Sequence, residues 1–320
     1  MRGKLSLVVV ACFAVLVTAG VAAASNGGFA PESPHSTNAR RITSAYWLIF
    51  GLTAGVFVIV ETVLVVFIWK YRSRGRDRTV EGAQVHGHTR LEVIWTVIPV
   101  GILAVIAAFV FYELPGIADA PAATDAIHVT VEAHQFYWQF DYPNGVRSIN
   151  DLTVPVGRVV DLTVVSPDVV HSWWIPALGG KIQAIPGQTT HTWFRADAAG
   201  TYTGQCAELC GLYHAAMRAR VIATTPQAYG TFIASGAAAD LGRSEYVGAC
   251  ATCHGMHGEG GYGPNLQQSP LLAQPSGLEQ RVRQGGIKMP PVGDTWTAGQ
   301  MRALASYVRA HVYKGAASGG

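Results

Sequence analysis

The chain has 320 residues, enough for about two domains, and it is 49% hydrophobic with only 13% charged residues. Such an apolar composition indicates membrane segments rather than a wholly soluble protein. The formal net charge of +3 is too small to suggest a nucleic-acid partner, and no basic stripe with interleaved aromatic residues is present. We therefore expect a membrane protein that does not bind nucleic acid.

The N-terminal segment, residues 1–24, has the pattern of a secretory signal peptide. It begins with the basic residues Arg2 and Lys4, continues with an apolar run and ends in three alanines, Ala22-Ala23-Ala24. We therefore expect the protein to be exported, with this segment removed.

Residues 42–114 predict a transmembrane hairpin, with helices at about 42–69 and 91–112 that are each long enough to span a bilayer. The loop between them is basic and holds Lys70, Arg72, Arg74, Arg76, Arg78 and Arg90. Because basic loops stay in the cytoplasm, we expect this loop inside the cell and both chain ends outside.

Beyond the hairpin, residues 125–225 consist of short β-rich segments separated by turn residues, which predicts an antiparallel sandwich or barrel. Examples of these segments are Ile127–Val131, Val159–Val165 and Thr189–Phe194. Residues 226–239 predict a linker or short helix, and residues 240–315 a helical domain. The final helix is expected within Thr297–Val312, with Thr297 as its N-cap.

The segment Cys206–Met217 reads C-A-E-L-C-G-L-Y-H-A-A-M and places two thiols, an imidazole and a thioether within twelve residues. Soft, redox-active copper selects this ligand set, and two cysteines four apart can bridge two metal ions. Zinc is an alternative, but it has little use for Met217. A disulfide between the two cysteines is a second alternative, and it would leave His214 and Met217 without a role.

A copper pair needs a nitrogen ligand on each ion, and His214 supplies only one. We expect the second from His171, which lies at a predicted strand end; its rivals are His134 and His191. Counting cysteines supports a metal role, because the four that follow the signal peptide all lie in two short motifs and none is left for a structural disulfide.

The second motif, Cys250–His254, reads C-A-T-C-H, which is the signature of covalent c-type haem attachment. Cys250 and Cys253 would form the thioethers and His254 would bind the iron, whereas a redox dithiol would not call for the histidine. For the opposite iron position we favour Met289, and a methionine ligand raises the reduction potential. The rival methionines are Met256, which is too close to His254, and Met301, which lies on the apolar side of a helix.

Together, these residues resemble subunit II of haem–copper cytochrome c oxidases, in the form that carries a fused cytochrome c domain. The resemblance covers nearly the whole mature chain. It implies a two-helix transmembrane hairpin, a cupredoxin-like Greek-key β-sandwich and an all-α class I cytochrome c domain. It also implies a dinuclear CuA centre, bound by His171, Cys206, the main-chain carbonyl of Glu208, Cys210, His214 and Met217.

The resemblance implies further roles outside the cofactor ligands. The carboxylate of Glu208 matches a residue that helps to bind magnesium at the boundary with subunit I, and Glu92 matches a glutamate at the mouth of a proton path. Phe136, Tyr137 and Trp138 match an aromatic strip through which electrons enter CuA. Many relatives have tryptophan in place of Phe136, and the fused haem could deliver electrons from another face.

The function implied by the resemblance is that of the subunit through which electrons enter a terminal oxidase of a bacterial cell membrane, with the copper and haem domains on the periplasmic side. Electrons would pass from cytochrome c, or from a quinol:cytochrome c reductase, to haem c, then CuA and then subunit I. Because this chain has no oxygen-reducing site, oxygen would be reduced to water in subunit I. That reduction would be coupled to proton translocation. Other oxidase subunits are further expected partners.

Two other functions are compatible with parts of the pattern. One is a CuA and haem c subunit of another membrane oxidoreductase, such as a nitric oxide reductase. The other is a copper-delivery or copper-sensing protein, which would have no need for the haem motif.

Overall fold

The computed structural model describes residues 31–72, 79, 81–82, 84, 86–235 and 241–315. The predicted signal peptide, part of the basic loop and the end of the predicted linker lie outside these residues. The chain divides into two compact units. One is Arg40–Ile117, and the other comprises the described residues of Met1–Ala39 and Ala118–Gly320.

Two long helices, α1 (Thr37–Tyr71) and α2 (Thr89–Glu113), are followed by the short helix α3 (Pro115–Ala118). Within the described residues, two helical stretches are apolar and long enough to cross a membrane. Each helix extends a few residues beyond its predicted apolar run. Arg41 Nη1 donates to Glu113 Oε2 at 2.7 Å and ties the two helices together.

Ten strands follow in the described part of the chain: β1 (Ile127–His134), β2 (Tyr137–Asp141), β3 (Arg147–Ile149), β4 (Asp151–Pro155), β5 (Val160–Val165), β6 (His171–Trp173), β7 (Ile182–Ala184), β8 (Thr190–Phe194), β9 (Gly200–Gln205) and β10 (Arg218–Thr224). They form a five-stranded sheet in the order β3-β2-β1-β5-β8, a three-stranded sheet in the order β4-β10-β9, and the pair β6-β7.

The sandwich confirms the predicted fold class, but its pairings are mixed rather than wholly antiparallel. Strand β1 runs parallel to β5, and β10 runs parallel to β4. Parallel neighbours cannot be joined by a tight hairpin, so these pairs bring together segments that are distant in sequence. The local strand pattern contained no information about them.

The core of the β-sandwich is formed by every second residue of its strands, because successive side chains of a strand point to opposite faces of the sheet. Val129, Val131 and Ala133 on β1 are buried, as are Leu162 and Val164 on β5. The same core includes the side chains of Cys206, Cys210 and Met217. The cysteine motif is therefore anchored in the sandwich.

The C-terminal helical domain comprises α5 (Leu241–Glu245), a π-helical turn (Tyr246–Cys250), α6 (Ala251–His254), α7 (Pro275–Gln284) and α8 (Ala298–His311). Helix α4 (Pro226–Ser235) precedes it. The predicted cap of α8 is confirmed, because the Thr297 side chain accepts a hydrogen bond from Gln300 N.

The β-sandwich and the C-terminal helical domain pack against each other within one unit. Tyr137 and Ile149 of the sandwich belong to the apolar core of the helical domain. A Cβ atom at Gly248 would collide with Ile149, so only glycine permits this close approach. The two domains therefore share a packed interface.

Candidate copper and haem sites

The two cysteines of the first motif lie beside His171. Cys206 Sγ is 3.9 Å from Cys210 Sγ and 3.8 Å from His171 Nδ1, and all three residues are buried. A sulfur–sulfur bond would be about 2.05 Å long, so the two thiols are separate. These donor atoms lie within 4.8 Å of one another, close enough to share metal ions.

The remaining predicted ligands join the same cluster. Cys210 Sγ lies 3.5 Å from His214 Nδ1 and 3.8 Å from Met217 Sδ. The Cys206 thiol donates to the main-chain oxygen of Glu208 at 3.2 Å. Each histidine therefore presents Nδ1 to a thiol, and the thioether and the carbonyl complete the donor set.

The backbone explains why these side chains converge. Cys206 follows β9 and Met217 precedes β10, so the motif is the connection between two antiparallel strands. A hydrogen bond of 2.9 Å from Cys206 N to Met217 O closes the connection at its base. His171 is the first residue of β6, and it reaches the cluster from a different part of the chain.

Asp168 is a site residue that the sequence reasoning missed. Its Oδ1 atom lies 2.8 Å from His171 Nε2, so the other ring nitrogen is the one that faces the thiols. Burial lowers the pKa of His171, but the hydrogen bonds with Asp168 and Cys206, together with the charges of these two groups, outweigh burial and the pKa is raised. A carboxylate on the outer nitrogen orients a metal-binding histidine, and the spacing Asp-x-x-His was the available signal.

The two thiols of the cluster ionise in turn. The hydrogen bond between them lowers the pKa of Cys206 and raises the pKa of Cys210, so Cys206 forms the first thiolate that can bind a metal. The rival histidines are elsewhere: His134 stacks on Tyr137 with 4.7 Å between ring centroids, and His191 is exposed on β8. Two thiols, two imidazoles and a thioether fit a copper pair better than they fit zinc.

Two cavities of about 490 and 460 Å³ lie around His254 and Met289, and both residues line both cavities. Cys253 lines the first cavity and Cys250 lines the second. These volumes lie in the usual range of cofactor pockets, and most of the lining side chains are apolar. The residues of the haem motif therefore surround a space that fits the group they predict.

The orientation of His254 suits an iron ligand. Its Nδ1 atom lies 2.9 Å from the main-chain oxygen of Pro264, which selects the tautomer with Nε2 available for a metal. Met256 is exposed, Met301 is buried on α8, and neither lines the two cavities. This arrangement favours Met289 for the opposite iron position.

Replacing Met289 with leucine is expected to lower the reduction potential of the haem, because a methionine ligand raises it. The matched control is Met256→Leu, which should leave the potential unchanged. A redox titration followed by the haem absorption bands measures both. A lowered potential in Met256→Leu, with Met289→Leu unaltered, would show that the ligand assignment is wrong.

The three residues of the aromatic strip, Phe136, Tyr137 and Trp138, lie in different surroundings. Phe136 lines the first haem cavity, whereas Tyr137 and Trp138 are fully buried. The Tyr137 hydroxyl donates to Val292 O at 3.0 Å and accepts from Trp296 Nε1 at 2.7 Å, both in the helical domain. A soluble donor therefore cannot touch Tyr137 or Trp138. The first haem cavity includes Phe136, and the roles of Phe136, Tyr137 and Trp138 in electron entry stay predictions.

The two predicted glutamates have local partners. Glu92 Oε1 accepts from His88 N at 3.1 Å, and the His88 ring accepts from Leu91 N, so Glu92 helps to cap the start of α2. The carboxylate of Glu208 accepts from Gln183 Nε2 at 3.3 Å. Their predicted roles in proton transfer and magnesium binding remain predictions.

Comparison with known families agrees with the geometry. The family model described as "Cytochrome C oxidase subunit II, transmembrane domain" matches residues 28–112, and the model "Cytochrome C oxidase subunit II, periplasmic domain" matches residues 146–224. A third model, "Cytochrome C oxidase, cbb3-type, subunit III", matches residues 237–308. The first two models together match more than half of the chain. Subunit II and cytochrome c domains imply copper and haem c as cofactors.

The cytochrome c oxidase subunit 2 of Alkalihalophilus pseudofirmus is 34% identical over 303 residues, which cover 83% of this chain and 87% of that protein. Its counterpart in Cereibacter sphaeroides is 28% identical, with coverages of 60% and 75%. The crystal structure of the periplasmic domain of subunit II of cytochrome oxidase from Bradyrhizobium japonicum is 31% identical, covers 37% of this chain and 96% of that one, and has a TM-score of 0.34. The chain belongs to the subunit II family of cytochrome c oxidases, in a form with a C-terminal cytochrome c domain.

Proposed function

We propose that electrons enter a terminal cytochrome c oxidase through this chain, from haem c to a dinuclear copper centre and on to subunit I. One observation supports this order of carriers. The first haem cavity is lined by Cys253 and Met289 of the helical domain and also by Gln135, Phe136 and Tyr213 of the β-sandwich. The predicted haem-binding side chains and the cysteine motif, through Tyr213, therefore line the same cavity.

The chain's own residues would bind and shield the copper. The ligands are His171, Cys206, Cys210, His214, Met217 and the carbonyl of Glu208. Burial of both thiols and of Met217 keeps water from the cluster, and Asp168 holds the ring of His171. A fixed, dry ligand set moves little when the charge on the metals changes, which suits electron transfer.

The haem would be attached through Cys250 and Cys253, with His254 and Met289 on the iron. When bound, the haem and the copper pair each accept and release one electron at a time. The carbonyl of Pro264 fixes His254, and the apolar lining of the two cavities excludes water.

The chain is a membrane protein and a subunit of an oxidase complex, so subunit I and other oxidase subunits are its partners. We place the β-sandwich and the helical domain on the outer side of a bacterial cell membrane, with cytochrome c or a quinol:cytochrome c reductase as the donor. Oxygen reduction and proton translocation would occur in subunit I. Glu92 of this chain would lie at the mouth of a proton path into subunit I, and Glu208 would contribute to a magnesium site at the subunit boundary.

Purification of the complex from membranes tests the proposal. We expect a subunit I that binds two haems and copper to co-purify with this chain, and we expect a near-infrared copper band beside the sharp bands of haem c. A partner with non-haem iron in place of that copper would instead support a nitric oxide reductase. A chain that releases copper reversibly and lacks haem would contradict both functions.

A further inference from the structure

Tyr213 connects the segments that bind the two cofactors. It lies between Cys210 and His214 in the cysteine motif, and it lines the first haem cavity together with Cys253 of the haem motif. Its ring also touches two aromatic side chains. The centroid distance is 5.3 Å to Phe136 and 5.3 Å to Tyr262.

The segment Cys206–Met217, which carries Tyr213, is held in place by the side chain of Gln135. Gln135 Nε2 donates to Cys210 O at 2.5 Å, and Gln135 also lines the first haem cavity. Gly211 has φ of 134°, and a Cβ there would lie 2.8 Å from Gln135 Nε2. Glycine is therefore needed for the backbone to approach this closely.

Among the neighbouring aromatic residues, Phe136 lines the first haem cavity beside Tyr213, whereas Tyr137 and Trp138 line neither cavity. Trp138 packs 6.1 Å from His171 and is buried in the sandwich. The Tyr137 hydroxyl binds Val292 O and Trp296 Nε1 of the helical domain. Tyr213 combines a sequence position next to a predicted copper ligand with a place in the cavity that is also lined by the haem-attachment residue Cys253.

We propose that Tyr213 is the side chain that couples haem c to the copper centre within this chain, a role that rests on the proposed function. One electron leaves the reduced haem, which is oxidised, and reduces the oxidised copper pair. No proton moves with the electron, because Tyr213 stays a neutral phenol and is neither oxidised nor reduced. The Tyr213 side chain places its ring between the cysteine motif and the first haem cavity.

The test uses the intact oxidase with three variants: Tyr213→Leu, which removes the ring, Tyr213→Phe, which keeps it, and Tyr229→Leu as a matched control. Tyr229 is a half-buried tyrosine on α4 that lines neither haem cavity. A photoexcited ruthenium complex injects electrons into haem c, and the haem and near-infrared copper bands follow their transfer. The reduction potentials of both centres and hydrogen exchange at residues 211–214 are measured in the same preparations.

In Tyr213→Leu we expect transfer from haem to copper to slow by at least about tenfold, since a misplacement of about 1 Å can cost roughly 10²-fold in a reaction that depends on positioning. Both potentials should stay unchanged, and exchange at residues 211–214 should increase. Tyr213→Phe should restore most of the rate, and Tyr229→Leu should behave as wild type.

An unchanged rate in Tyr213→Leu with both centres intact would overturn the proposal. If that variant loses copper, a second non-aromatic substitution, Tyr213→Gln, decides instead, and a wild-type rate in that variant would equally overturn the proposal. Absence of haem-to-copper transfer in the wild-type protein would be a different result, since it would refute the proposed function itself.

Discussion

Replacing Cys206 with serine is expected to abolish the near-infrared copper band of the purified chain while the haem absorption stays intact. The Cys206 sulfur is close to the Cys210 sulfur, to His171 Nδ1 and to the carbonyl of Glu208, so its loss removes a donor at the centre of the cluster. A serine hydroxyl is a hard ligand that does not replace a thiolate for copper. Electrons injected into the haem should then remain there.

The reciprocal variant is the matched control. Serine at both Cys250 and Cys253 should prevent covalent haem attachment and leave the copper band in place, because neither cysteine lies in the copper cluster. Absorption spectra and metal analysis of both proteins give the answer. If the copper band survives in Cys206→Ser, the assignment of the cysteine motif is wrong.

Replacing Glu245 with glutamine is expected to stabilise the protein above pH 7. Glu245 is fully buried, and its Oε1 atom accepts from Gln300 Nε2 at 2.7 Å. Within the part of the chain that the structure describes, no donor reaches its Oε2 atom. Burial raises the pKa of Glu245 to about 7, and Asp141 adds to the increase, while the hydrogen bond from Gln300 and the charge of Arg147 oppose it.

The sign of the pH dependence follows from this raised pKa. Between the ordinary pKa of a glutamate and about 7, the folded protein holds a proton that the unfolded chain has lost, so stability falls as the pH rises. Above about pH 7 the folded state carries a buried charge, and the full penalty is of order 3 kcal/mol. Glutamine keeps the contact with Gln300 but cannot ionise, so its advantage should disappear near pH 4.

Thermal unfolding of the full chain, followed by its haem absorption at pH 4 to 8, measures this effect. The matched control is Glu279→Gln, since Glu279 is exposed on α7 and its ion pair with Arg283 is a surface contact of little energetic value. Equal melting temperatures of Glu245→Gln and wild type at pH 8 would show that the buried carboxyl is not destabilising.

The features that the sequence predicted well are those encoded by neighbouring residues. The twelve residues from Cys206 to Met217 contain most of the predicted copper ligands, because a single connection between paired strands can hold them all. The haem motif is equally local. The Thr297 cap of α8 was also predictable, since a cap depends on residues within one turn.

The ends of the elements were predicted less well. The first membrane helix was expected from residue 42, but α1 begins at Thr37. The added turn is polar, so the hydropathy of the sequence does not reveal it. It forms because the Ser36 hydroxyl accepts a hydrogen bond from Ala39 N at 3.0 Å and donates one to Leu178 O. A contact with a residue so distant in the chain cannot be inferred from hydropathy.

By itself, the sequence determined the fold class, the two cofactor motifs and the family, because each depends on residue types at short, regular spacings. Only the tertiary structure decided the parallel strand pairs, the carboxylate of Asp168 behind His171, the burial of Glu245 and the cavity that Tyr213 and Cys253 both line. The first two form within the β-sandwich, whereas the shared cavity forms only when the β-sandwich and the helical domain pack together. The Cys206–Met217 segment therefore carries its own ligands, but its link to the haem depends on the packing of the two domains.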